Sequence, residues 1–127
     1  MPTRPEELHP ELAAAFNAGD LEGTFALYDP RATFVVKPGH VTEGPEELRA
    51  ALGRLVERRG RLTINPKTFV RSDDVVLALG RYTLSGTRRD GTPFEVESGF
   101  ADILRRQPDG RWLIVVDNGF NQGFNGV

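Results

Sequence analysis

The dipeptide Asp-Gly occurs twice in the final third of the chain, at Asp90-Gly91 and Asp109-Gly110, each time between two runs that read as β-strands. This is the strongest short-range hairpin signal, because glycine accepts the positive φ that a tight reversal needs. Two hairpins in succession commit the C-terminal half to an antiparallel meander. Its strands read as Leu62 to Arg71, Val75 to Thr87, Phe94 to Arg106 and Arg111 to Asp117. Pro66 lies inside the first run and predicts a bulge or an edge there.

The N-terminal half has a different period. Leu8, Leu12, Ala15 and Phe16 recur at helical spacing, with Pro10 suited to a first turn and Gly19 to a C-cap. Asp20 reads as the N-cap of a second short helix carrying Phe25 and Tyr28, ended by Asp29 and Pro30. Ala32 to Val36 reads as a strand, Lys37 to Gly39 as a turn, and Val41 to Glu43 as a brief returning strand. Gly44 and Pro45 open a third helix with a stripe of Leu48, Leu52, Leu55 and Val56, closed by Gly60. Helices first and strands afterwards predict an α+β fold, with the helices on one side of the sheet.

Composition narrows the function. A chain of 127 residues fits one domain (1–127), with a flexible tail expected over the Gly- and Asn-rich residues 118–127. The 16 basic and 18 acidic side chains include no polybasic run, which argues against nucleic acid and anionic membranes as partners. No cysteine is present, so disulfides, thiolate nucleophiles and sulfur-ligated metals are excluded. Apolar runs are too short to cross a bilayer and the N-terminus does not read as a signal peptide, so a cytoplasmic location is expected. The sequence has no glycine-rich phosphate loop after a strand and no metal-ligand spacing, so neither cofactor nor metal is expected. His9, beside Pro10, reads as a surface or capping residue, and His40 as an exposed loop residue.

Hairpin register assigns faces. A two-residue turn at Asp90-Gly91 sets Asp102 opposite Leu79 and Phe100 opposite Arg81. A two-residue turn at Pro108-Asp109 sets Asp102 opposite Val115 and Asp117 opposite Phe100. Leu79, Arg81, Phe100, Asp102, Val115 and Asp117 then share one face, and Tyr82, Ile103, Trp112, Ile114 and Val116 the other. The helices cover the first. A second copy is the simplest cover for the other, so a homodimer through Tyr82, Ile103, Trp112, Ile114 and Val116 is expected. On the inner face Asp102 and Asp117 are candidate acid–base groups, since burial raises a carboxyl pKa, and Arg81 is a candidate partner for one of them.

Several local motifs carry a resemblance. Phe16-Asn17-Ala18-Gly19-Asp20, Tyr28, Ala32-Thr33-Phe34, Gly44-Pro45 and Asp109-Gly110-Arg111-Trp112 together resemble the nuclear transport factor 2-like superfamily over nearly the whole chain. That group includes ketosteroid isomerases, SnoaL-like polyketide cyclases and scytalone dehydratase. The resemblance implies three N-terminal helices packed in the concave face of a curved, mainly antiparallel sheet, a cone-shaped α+β barrel with a pocket. It leaves the chemistry open, because the scaffold hosts many functions. Against ketosteroid isomerase, the general base falls on Val36, the oxyanion-hole tyrosine on Leu12 and a further pocket tyrosine on Leu52. Only the second oxyanion-hole group, Asp102, is matched. The implied pocket takes a small, largely apolar molecule against Leu12, Phe16, Tyr28, Val36, Leu52, Leu79, Phe100 and Val115, with Arg81, Asp102 and Asp117 as polar anchors. Cofactor-independent proton transfer of isomerase, cyclase or dehydratase type through Asp102 is one expectation. A non-catalytic dimeric ligand-binding or assembly module with a self-filled cavity is the other.

Overall fold

A computed structural model describes residues 2–58 and 60–121. After a single 3-10 turn, the helices are α1 (Leu8–Asn17), α2 (Leu21–Phe25) and α3 (Gly44–Glu57). The strands are β1 (Tyr28–Lys37), β2 (His40–Val41), β3 (Arg61–Ser72), β4 (Val75–Thr87), β5 (Pro93–Arg106) and β6 (Trp112–Asn118). They form one six-stranded sheet in the order β2-β1-β6-β5-β4-β3. Every pairing is antiparallel except β1 with β6. The helices pack against the concave face, which is the expected α+β cone.

Local chemistry explains the helices. Asp20 caps α2 by accepting a hydrogen bond from the Gly23 amide at 2.8 Å. In α3, Pro45 sits in the first turn with Glu46 and Glu47, and Arg54 in the last, an order that complements the helix dipole. Asn17 docks the end of α1 on the edge strand β3: its amide donates to the Leu62 carbonyl at 2.9 Å and its oxygen accepts from the Leu62 amide at 2.7 Å. The side chain thereby occupies hydrogen-bonding groups that a further strand would otherwise use. α2 stops at Phe25, earlier than expected, because the Leu27 carbonyl accepts from the Ile114 amide and Tyr28 pairs with Ile114 in the sheet. Tyr28 therefore begins β1 and does not belong to a helix.

Register is where the structure departs most from expectation. The bulge at Pro66 is present. Both hairpin loops, however, have three residues, Arg89–Gly91 and Pro108–Gly110, as the Arg88–Thr92 and Gln107–Arg111 backbone bonds show. Each loop ends on a glycine with positive φ, +88° at Gly91 and +89° at Gly110, the three-residue solution to the same turn signal. One added residue moves every partner by one, so Asp102 faces Ala78 and Phe100 faces Gly80. A one-residue slip sends each side chain of β4 to the other face. Leu79 and Arg81 thus point away from the helices and Tyr82 points toward them.

On β6 the same slip turns Trp112 and Ile114 inward, into the core beside Leu104. A bulge between the Ile103 and Leu104 pairings then restores the expected sense, leaving Asp117 directly opposite Asp102 and Val116 opposite Ile103. Val115 falls in that bulge and does not line the cavity. Of the expected dimer surface, Tyr82, Trp112 and Ile114 are therefore inside, and only Ile103 and Val116 remain outside. A continuous apolar row crosses the outer face from Val116 through Ile103 and Leu77 to Val70. Leu77 is 36% and Val70 53% exposed.

At the end of the fold away from the cavity lining, Leu8, Val76, Ala78, Leu104, Trp112 and Ile114 are buried in one cluster. The Trp112 amide donates to the Pro2 carbonyl at 2.8 Å, which ties the N-terminal segment across that end. Gly80 is required by packing, since a Cβ there would lie 2.8 Å from the Phe100 ring.

Candidate functional site

Between the helices and the concave face lies a cavity of about 570 Å³. That size is ordinary for a small-molecule site, for which ~300–1,000 Å³ is typical. Its walls are apolar. Helix α1 supplies Leu12 and Phe16, α3 supplies Leu52 and Leu55, β1 supplies Phe34 and Val36, and β5 supplies Phe100.

Into this apolar space the sheet projects two carboxyls, Asp102 from β5 and Asp117 from β6, directly opposite each other. The Asp102 Oδ2 lies 2.8 Å from His9 Nε2, and its Oδ1 accepts from the Asn118 amide at 3.1 Å. The Tyr28 hydroxyl donates to Asp117 Oδ2 at 2.5 Å. His9, 1% exposed, also lies against the Phe100 ring with centroids 4.8 Å apart.

The electrostatics follow from burial. Desolvation lowers the His9 pKa to about 4, overcoming the attraction of the Asp117 charge, so the imidazole is neutral. Its Nδ1 is buried without a hydrogen-bond partner among the described residues. A proton on that nitrogen would be an orphaned donor, so Nε2 carries the hydrogen and donates it to Asp102. Desolvation raises Asp102 to about 7, against the opposing effect of its Asn118 and Asp117 hydrogen bonds. Asp117 rises to about 8, by desolvation first and then by the Asp102 charge. Two carboxylates this close resist ionising together, so the pair shares a proton near neutrality. Donors from His9 and Asn118 favour the charged form of Asp102, and the proton resides mainly on Asp117. The Tyr28 hydroxyl is held well above its ordinary pKa of 10.0 by burial and by the Asp117 charge, and remains a donor.

Leu12, Phe16, Tyr28, Val36, Leu52, Phe100, Asp102 and Asp117 are brought together around the cavity. Leu79, Arg81 and Val115 are not among its lining. Arg81 instead pairs with Glu97 at 3.5 Å on the exposed face, so it neutralises neither aspartate. His9 is the residue that sequence reasoning missed. It stands three residues before Leu12 and seven before Phe16, on the same helical stripe, and that spacing was the available signal. His40 is exposed, as expected. Phe120, one of two phenylalanines in the Gly- and Asn-rich tail, lies at the mouth, where the Gly119 carbonyl accepts from Tyr82 at 2.9 Å and from Ser98 at 3.0 Å; the other, Phe124, is outside the described residues. No cluster of three or more His, Cys, Asp or Glu among the described residues is arranged to hold a metal ion.

A conical sheet closed over three helices, with a polar floor in an apolar hollow, defines a pocket-forming class of domain. Residues 11–115 match the SnoaL-like domain, and the chain belongs to that family. The matched stretch begins after His9 and stops before Asp117. Among solved structures, a nuclear transport factor 2 (NTF2-like) superfamily protein from Salmonella enterica aligns with a TM-score of 0.77 at 16% identity, covering 91% of that protein and 94% of this one. A conserved protein from Planctomyces limnophilus gives 0.77 at 20% identity, covering 88% of each chain. An NTF-2 like protein of unknown function from Shewanella oneidensis gives 0.72 at 21%, covering 91% of this chain and 94% of that one. At these identities the likeness concerns the fold alone. No curated protein matches the chain. Among the described residues no helix is long and apolar enough to cross a membrane.

Proposed function

We propose that this is a cytoplasmic small-molecule pocket protein that exchanges a proton with a largely apolar ligand through Asp117, in a cofactor-independent reaction of isomerase, cyclase or dehydratase type. The observation that carries the reading is the cross-strand pair of carboxyls in an apolar-walled cavity. Asp102 is 3% exposed and has both oxygens engaged by His9 and Asn118, whereas Asp117 is partly accessible through the cavity. Asp117 is therefore the group that meets a ligand, and Asp102 is the positioning residue that sets its proton affinity. This departs from the sequence-based preference for Asp102.

A pair holding one proton works in both directions. The singly protonated pair takes a proton from a ligand carbon or gives one to a ligand oxygen, because both changes cost little near pH 7. In an isomerisation the pair reacts with its proton on Asp102, so that the Asp117 carboxylate takes a proton from one ligand atom and returns it to another, and the pair ends as it began. The positions that match the isomerase base and tyrosine are Val36 and Leu12, both in the cavity wall, so the proton exchange is assigned to the carboxyl pair. The test follows deuterium entry at the α-carbon of cyclic ketones in heavy water by NMR. Wild type is expected to incorporate deuterium, and Asp117→Asn to slow it by at least ~100-fold, the low end for general acid–base catalysis. Equal exchange by both would remove the catalytic reading and leave the non-catalytic ligand-binding module.

We also infer a homodimer through the outer row of Val70, Leu77, Ile103 and Val116, since an exposed apolar row of this kind favours burial against a second copy. Native mass spectrometry of the purified protein reports subunit number and any co-purified molecule together. A dimer that dissociates in Leu77→Glu is expected; a wild-type monomer at micromolar concentration would remove the inference.

A further inference from the structure

The rim of the cavity differs in charge from the rest of the molecule. The chain carries a formal net charge of -2, yet three arginines, Arg54, Arg58 and Arg88, line the mouth beside a single acid, Glu95. Arg54 and Arg58 are four residues apart at the end of α3, so their side chains project from the same helix face. Arg88 comes from the opposite wall, at the end of β4, where it lies over the Phe94 ring and donates to the Pro93 carbonyl at 2.7 Å. That bond uses one terminal nitrogen and leaves the other free to turn toward a ligand.

Elsewhere the arginines that form ion pairs are already neutralised: Arg4 by Glu7, Arg49 by Glu22, Arg71 by Glu6, Arg81 by Glu97, Arg106 by Asp74 and Arg111 by Asp109. Arg54, Arg58 and Arg88 have no carboxylate partner among the described residues. Arg31, Arg61, Arg89 and Arg105 are likewise unpaired there, but none of those four lines the cavity. Converging cations over an apolar hollow suit an anion attached to an apolar body. Guanidinium groups bind planar oxyanions with paired hydrogen bonds, and a low-dielectric wall strengthens the attraction.

We propose that the cavity takes an amphipathic organic acid, its apolar body between Phe16, Leu52 and Phe94 and its carboxylate or equivalent oxyanion held at the mouth by Arg54, Arg58 and Arg88. The proposal rests on the cavity being a ligand site, and not on the chemistry assigned to Asp117. Phe94 is eight residues along β5 from Asp102, which sets an upper limit of roughly 26 Å between rim and floor at ~3.3 Å per residue. Eight residues of separation along one strand place the acid group at a different level of the cavity from the carboxyl pair. An anion at the floor would face Asp102 and Asp117; at the rim it meets only Glu95 as a like charge.

The test uses two probes with the same ring system, 1-anilinonaphthalene-8-sulfonate and neutral N-phenyl-1-naphthylamine, titrated by fluorescence against the full chain. The sulfonate is expected to bind about tenfold more tightly than the neutral probe, equivalent to ~1.4 kcal/mol. Arg54→Gln with Arg58→Gln is expected to bring the two within about twofold while leaving the neutral probe unchanged, and high salt to act in the same direction. Val36→Trp, which fills the cavity, should weaken both. If the neutral probe binds in the cavity but the sulfonate gains nothing, or keeps its gain in the double variant, the acid-anchor proposal fails and the ligand cavity stands. Failure of both probes to bind, or binding of both that survives Val36→Trp, overturns the two readings together.

Discussion

The inner and outer faces of β4, β5 and β6 are built from alternate residues of the same strands, yet they treat charge in opposite ways. Inside, Asp102 and Asp117 face each other with His9 and Tyr28 as partners, and burial raises the pKa of both carboxyls to about 7 and about 8. Outside, Arg81 and Glu97 pair at 3.5 Å with both side chains more than half exposed. Water screens the outer pair and leaves it little net energy; the inner groups have no such medium and must satisfy one another. Function is therefore to be sought where charge is costly, and the floor of the cone is that place.

Packing gives the largest contrast between the faces. Leu104 is fully buried on the inner face of β5, and Leu77, on β4, is 36% exposed on the outer. Leu104→Ala is expected to destabilise by about 2–5 kcal/mol, the usual range for emptying such a site. Leu77→Ala should cost less than about 1 kcal/mol in dilute protein, rising with concentration if the outer face pairs two copies. Urea unfolding measures both, and equal losses would erase the distinction.

Next in size is a pH effect confined to the inner face. Asp102 and Asp117 have native pKa values of about 7 and about 8, raised from 3.8, so the native state holds protons that the unfolded chain releases. Their contribution to stability is complete below the unfolded pKa near 4 and is lost as pH rises through 7 and 8. His9 acts in the other sense: lowered to about 4, it binds a proton only when unfolded, so its contribution grows from pH 4 to about 6.5 and offsets one carboxyl there. The net expectation is a fall in stability between pH 6 and 8.5 of roughly 2 kcal/mol or more, at ~1.4 kcal/mol per proton per pH unit. Denaturation midpoints across that window test it. The double variant Asp102→Asn with Asp117→Asn should flatten the slope; a flat wild type would mean that the pair ionises normally.

The same comparison explains what was legible in the sequence. Element order was readable because periods of 3.6 and 2 differ plainly, as in Leu48, Leu52 and Leu55 against Val75 to Leu79. The turns were readable from Asp90-Gly91 and Asp109-Gly110. Their length was not, since the same dipeptide serves loops of two and three residues. That single ambiguity exchanged Leu79 and Arg81 for Ala78 and Tyr82 on the inner face. The bulge in β6 was equally silent, and it alone puts Asp117 against Asp102. The sequence-based register sets Asp117 opposite Phe100, and the observed one sets it opposite Asp102. His9 was hidden for another reason: its hydrogen-bond partner Asp102 is 93 residues away in sequence, and Pro10 drew attention to helix capping.

Two single-bond deletions sharpen the contrast at its smallest scale. Tyr28→Phe removes the 2.5 Å hydrogen bond to Asp117 and leaves the ring in place. The hydroxyl favours the charged carboxylate, so its loss should raise the proton affinity of Asp117 further; near pH 7, where Asp117 holds the proton, the cost should be about 0.5–1.5 kcal/mol, growing as pH rises through 8. Arg81→Ala removes the exposed ion pair with Glu97 on the outer face. Here the expected change is within about 0.5 kcal/mol, and added salt should shrink it further. The carboxyl stretching band of Asp117, followed by infrared difference spectroscopy against pH, separates the two cases. It should shift to higher pH in Tyr28→Phe and stay fixed in Arg81→Ala. A shift in the arginine variant would mean that charge crosses the sheet from one face to the other, and the two faces would then have to be treated as a single electrostatic unit.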